Sequence, residues 1–243
     1  MIEVTGLSKN YGARYVVDDL SFYVKTGDVL GFIGPNGAGK STAMKMLAGI
    51  LPVYSGTVRI GSYDVEKSPR EARAMLGFLP ENAPLYSNMS VQAFLNYAAC
   101  MRGIMGKKER NEKIAKAVER CALQDVLHEE IDALSKGYRR RVCLAQAILH
   151  EPPALIMDEP TDGLDPNQKR EIRSLIGELR SNTAIILSTH ILEEVEAVCS
   201  RVLLLCAGKR IFEGTREDFL AQLRSGEDIS ALFARLTKDG GRT

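Results

Sequence analysis

Short apolar runs and amphipathic stretches alternate along the chain, and their periods predict its elements. Four runs read as strands bounded by turn residues: VLGFI at 29–33 after the turn signal KTGD, and those inside PALIMDEP (153–160), TAIILSTH (183–190) and RVLLLC (201–206). IEVTGL (2–7) and the partly alternating VVDDLSFYV (16–24) make the start strand-rich; SGTVRIGSYD (55–64) reads as a strand pair with turns, and MLGFLPE as a strand ending at Pro80. A helix is predicted from about Gly39 to Ile50. PNQKREIRSLIGELRS and ILEEVEAVCS have helical texture between the later strands. Strands alternating with helices predict an α/β core with a mostly parallel sheet.

Between Ser90 and His150 strand-like runs vanish and helix formers dominate, as in VQAFLNYAACMRG, KKERNEKIAKAVERCAL and RRRVCLAQAILH, so a helical subdomain at about 84–150 is predicted as an insertion into the core. After Gly226 the sequence turns polar and ends GGRT, which predicts a partly disordered tail over about 226–243. One domain over 1–243 accommodates all of this, with 45% hydrophobic residues supplying its core.

Charge narrows the function classes. Lys and Arg number 32 against 31 acidic residues, so no global basic field draws the chain to nucleic acid or anionic lipid. The five cysteines show neither metal-ligand spacing nor a disulfide framework, which predicts a reduced, cytoplasmic protein. The start MIEVTGLSKNYG lacks a signal-like segment, and the longest apolar runs fall far short of the roughly 20 residues that span a bilayer, so any work at a membrane is that of a peripheral subunit.

The chemistry concentrates in two places. GPNGAGKST at 34–42 fits G-x-x-x-x-G-K-[ST] between an apolar strand and a helix, the context that motif needs. Gly34, Gly37 and Gly39 let the backbone turn tightly, with Pro35, Asn36 and Ala38 completing the loop, so that N–H groups and the helix N-terminus hold phosphate oxygens. Lys40 then reaches the β- and γ-phosphates, Ser41 gives its hydroxyl to Mg²⁺, and Thr42 closes the motif. Downstream, ALIMDEP ends a strand with Asp158, placed to hold Mg²⁺ through water, and Glu159, placed to orient and polarise the attacking water.

With these motifs in this order, the sequence resembles the ATP-binding cassette (ABC) ATPases over nearly the whole chain to about residue 220. GPNGAGKST matches that family's phosphate loop, and LIMDEP its magnesium strand and catalytic glutamate. TDGLDP at 161–166 resembles the loop that pairs subunits, with Asp165 its aspartate. His190 in STH resembles the switch histidine, and Tyr11 in KNYG the aromatic that stacks on adenine. LSKGYRRR at 134–141 then resembles the signature motif, comprising Leu134, Ser135, Lys136, Gly137 and Tyr138.

The resemblance implies a P-loop NTPase core with an N-terminal antiparallel β subdomain and an inserted helical subdomain. It implies ATP hydrolysis with Mg²⁺, and a head-to-tail dimer with a second nucleotide-binding domain, in which Ser135 and Gly137 face the γ-phosphate of the opposite site. It also implies a membrane-spanning transporter subunit as partner, docked near residues 82–102, at the cytoplasmic face of the cell membrane. Three positions depart from the pattern: Glu81 stands where a glutamine usually meets Mg²⁺, Lys136 replaces the first of two signature glycines, and Tyr138 replaces the signature glutamine. The LSKG variant with LPENAPLY resembles a subgroup serving exporters with short membrane subunits, of gliding-motility and multidrug type. A soluble ABC ATPase acting on nucleic acid or ribosomes is disfavoured by the single cassette and the neutral charge, and a non-hydrolysing regulatory module by Glu159. His128 and His150 belong to no motif and read as structural.

Overall fold

The fold follows from strands that are apolar on both faces. In a computed structural model of the protein, which describes residues 1–82 and 84–240, six strands form one sheet. The elements run β1 (Ile2–Tyr11), β2 (Arg14–Val24), β3 (Val29–Ile33), α1 (Lys40–Leu47), β4 (Ser55–Ile60), β5 (Tyr63–Asp64), α2 (Pro69–Ala74), β6 (Leu76–Leu79), α3 (Val91–Met101), α4 (Lys107–Arg120) and α5 (Lys136–Ile148). They continue with β7 (Ala154–Asp158), α6 (Pro166–Leu179), β8 (Ala184–Thr189), α7 (Leu192–Val198), β9 (Arg201–Cys206), β10 (Lys209–Thr215), α8 (Arg216–Leu220) and α9 (Ile229–Gly240).

The large sheet has the order β10-β9-β3-β8-β7-β6, parallel throughout except for the β9–β10 hairpin. The two-residue period of its strands divides the core. Leu155, Met157, Ile185, Leu187, Val202 and Leu204 pack on one face with α3, α4 and α5. Their alternates Ile156, Ile186, Leu203 and Leu205 pack on the other with α1 and the antiparallel sheet β2-β1-β4-β5. Both faces are therefore covered, and β3, β7, β8 and β9 are apolar along most of their length, with Asp158, Ser188 and Thr189 at the carboxyl ends of β7 and β8.

The tail departs from the sequence reading. Within the stretch read as partly disordered, residues 229–240 form a helix, because Ile229, Leu232, Phe233 and Leu236 recur at helical spacing and pack on the core, with Leu232 fully buried. Residues 241–243 lie outside the described ones. Among the described residues, no helix is long and apolar enough to cross a membrane.

Candidate active site

Parallel strands end at the same edge of a sheet, and register decides which residues meet there. Ile33 pairs with Thr189, Ser188 with Asp158, and Leu79 with Met157. The next residues along each strand are the loop 34–39, His190, Glu159 and the Pro80–Glu81 turn, so four chain segments far apart in sequence reach one edge.

The phosphate loop turns straight from β3 into α1. Gly39 caps the helix in the left-handed region at φ 106°, and a Cβ there would run into the Val16 carbonyl, so this position requires glycine. Lys40 opens the helix and is buried, its Nζ donating to the Gly34 carbonyl at 2.7 Å and the Pro35 carbonyl at 3.3 Å. Burial lowers the Lys40 pKa, and Glu159, Asp158 and Glu81 oppose that shift. Three carboxylates thus favour the charged form of one ammonium, at a helix N-terminus suited to anions.

Asp158 is 2% exposed, and it accepts a hydrogen bond from the Ser188 hydroxyl. Glu159 leaves the strand in a left-handed conformation, φ 49°, with its N–H donating to the Ser188 carbonyl at 3.1 Å. Its Oε2 meets His190 Nδ1 at 2.8 Å, and burial raises the Glu159 pKa against the lowering effect of His190 and then of Lys40. A strained, non-glycine backbone at a carboxylate with a perturbed pKa is a mark of functional sites.

A cleft of about 330 Å³, within the usual range for small-molecule sites of roughly 300–1,000 Å³, is lined by Asn36, Gly37, Gly39, Lys40, Ser41, Thr42, Glu81, Glu159, Asp162, His190 and Val16. Asp158, buried at the end of β7, is not among the lining residues. Tyr11 stands outside it, 57% exposed at the end of β1 with Lys9 over its ring, and so does Asp165, which caps α6 by accepting from the Asn167 and Gln168 amides. The signature residues Leu134, Ser135, Lys136, Gly137 and Tyr138 are absent from the lining too. Ser135 is the N-cap of α5, and Lys136 pairs with Asp162 at 3.3 Å.

The Ser41 hydroxyl and the Glu81 carboxylate in the lining, and the buried Asp158 carboxylate, are hard-oxygen donors of the type that suits Mg²⁺.

The comparisons with known proteins match this geometry. The profile of one family, described as ABC transporter, matches residues 17–162. This chain belongs to the ABC transporter family. An uncharacterized ABC transporter ATP-binding protein of Bacillus subtilis (strain 168), YhcH, is 39% identical over 87% of the chain and 68% of that protein. A probable multidrug ABC transporter ATP-binding protein of Escherichia coli (strain K12), YbhF, is 36% identical over 93% of the chain, which spans only 39% of that relative's length. A solved ATP-binding subunit of an ABC transporter superposes with a TM-score of 0.88 at 32% identity, over 98% of this chain and 99% of the other.

Sequence reasoning missed four contributors to the ABC site. Val16 and Asp162 line the cleft, Ser188 anchors both Asp158 and Glu159, and Arg140 binds the backbone of two site loops. Asp162, Ser188 and Arg140 lie inside the segments TDGLDP, STH and LSKGYRRR, at positions to which the motifs give no role, and Val16 lies in none of them. The basic run proves to be three separate structural arrangements. Arg139 donates to the Ile131 and Asp132 carbonyls, Arg140 turns inward, and Arg141 pairs with Glu171.

Proposed function

We propose that this chain is the ATP-hydrolysing subunit that powers a membrane-embedded transporter, an exporter by its LSKG signature and by its similarity to a multidrug relative. The observation that carries the reading is the register of the parallel sheet, which gathers the phosphate loop, Asp158, Glu159 and His190 along one edge. The loop and the N-terminus of α1 bind the triphosphate, with Lys40 released from its loop carbonyls to the β- and γ-oxygens. Ser41, and Asp158 through water, would hold Mg²⁺ with Glu81 beside them, and the bound cation would supply neutralisation of phosphate charge. Glu159 orients the attacking water and accepts its proton; His190 holds the Glu159 carboxylate and senses the γ-phosphate. Tyr11 supplies the adenine platform.

Ser135 and Gly137 stand outside their own cleft and serve the site of a second nucleotide-binding domain, paired head to tail. ADP lacks the phosphate that joins the halves, so hydrolysis resets the pair. The work takes place as a peripheral subunit on the cytoplasmic face of the membrane, with the transmembrane partner seated near residues 82–102. Glu159→Gln keeps the shape of the side chain and removes the base, so steady phosphate release falls by about 10²-fold or more while ATP binding persists. Undiminished release from that variant contradicts the assignment.

A further inference from the structure

Arg140 uses every donor it has on the backbone of the site. A guanidinium carries five N–H groups. Here Nε donates to the Pro160 carbonyl at 3.2 Å, Nη1 to Pro80 at 2.6 Å and Glu81 at 2.8 Å, and Nη2 to Asp158 at 2.6 Å and Glu159 at 2.7 Å. The residue is 8% exposed, and burying a cation is unfavourable unless its donors are satisfied. All five donors go to carbonyls at the carboxyl ends of β6 and β7, where the chain leaves the sheet and its ladder partners end.

Those carbonyls belong to the two segments that carry Glu81 and Glu159. Glu159 holds a left-handed backbone, a conformation that persists only where its surroundings over-determine it. Its N–H is fixed by the Ser188 carbonyl on β8, and its C=O by Arg140 on α5. The same α5 is capped by Ser135 and begins with Lys136 and Gly137. One side chain therefore connects the helix that serves the opposite nucleotide to the backbone of this chain's own water-orienting residue.

We propose that Arg140 is a positioning residue: it holds Glu159 in line for water attack and ties that geometry to the placement of the Ser135–Gly137 turn. The inference rests on the ATPase reading above. A strut of this kind changes turnover more than nucleotide binding, because all five of its donors go to the Glu81 and Glu159 segments and none to the phosphate loop. A merely structural arginine would change folding and binding together.

The test compares wild type with Arg140→Ala and Arg140→Lys, the latter keeping the charge but only three donors. ADP binding and thermal unfolding check the fold; kcat and KM for ATP, and hydrogen exchange at the Glu159 amide, check the position. The expected result is near-normal ADP binding and KM, a kcat lowered by about 10²-fold as for an ångström-scale misplacement, and faster exchange at Glu159. Ethylguanidine restores kcat to Arg140→Ala in a saturable manner, whereas ethylamine, of equal charge without the planar fork, does not. If Arg140→Ala fails to fold, Arg140→Lys carries the same kcat-against-KM comparison. Unchanged kcat and exchange in folded variants, or equal rescue by both cations, overturns the proposal. A wild-type chain that binds ATP without hydrolysing it overturns the ATPase reading instead, and the exchange measurement still decides the role of Arg140.

Discussion

The residues that matter most are those whose burial conflicts with their charge. Lys40, Asp158, Glu159 and Arg140 are all withdrawn from water, and each is compensated by a named partner: loop carbonyls, Ser188, His190 and five carbonyls respectively. His150 shows the same conflict with no catalytic part. Burial, helped by the positive charge of Arg102, pushes its pKa from 6.5 down to about 4, and its Nε2 meets the Leu76 carbonyl at 3.1 Å. The folded state thus keeps the ring neutral, while the unfolded chain takes up a proton below 6.5. Stability is lost as pH falls through that window, and the loss is complete below about 4, at a slope of up to about 1.4 kcal/mol per pH unit. His150→Gln keeps a donor for Leu76 and removes the titration. Urea unfolding across this range is expected to show a shallower pH dependence for the variant, and parallel curves would contradict the assignment.

At the scale of elements, periodicity and motif spacing made much of the fold legible before any coordinates. VLGFI, ALIMD and AIILST read as strands because both their faces are buried, and the glycine-rich turn read as a phosphate loop because a strand and a helix flank it. Helix α9 was hidden by its polar residues, since its apolar positions fall on one face only. The grip of Arg140 was hidden for a different reason: nothing in YRRR distinguishes the arginine that turns to the site from its neighbours, and the carbonyls it binds are up to 60 residues away. Lys136 is settled in part by its neighbour Asp162. Their ion pair is exposed on both sides, which limits its worth to about 1 kcal/mol. Lys136→Gly is therefore expected to cost less than about 1 kcal/mol of stability and to leave the salt dependence of ATP-driven dimerisation unchanged. A flattened salt dependence would instead give Lys136 a charge role at the shared nucleotide.

At the scale of the molecule, the cleft is incomplete by itself. Its lining supplies phosphate-loop donors, carboxylates and a histidine from one side, whereas Ser135 and Gly137 cap a helix that lies outside the lining. The proposed head-to-tail pairing would bring the two together, and mixing two inactive variants tests this most directly. Lys40→Ala disables the phosphate loop and keeps the signature turn; Gly137→Asp keeps the loop and places a carboxylate where a γ-phosphate must sit. Each variant alone is expected to hydrolyse almost no ATP, and their mixture is expected to regain phosphate release, because a mixed dimer holds one composite site with both halves intact. No recovery on mixing, or full activity from Gly137→Asp alone, would contradict the account.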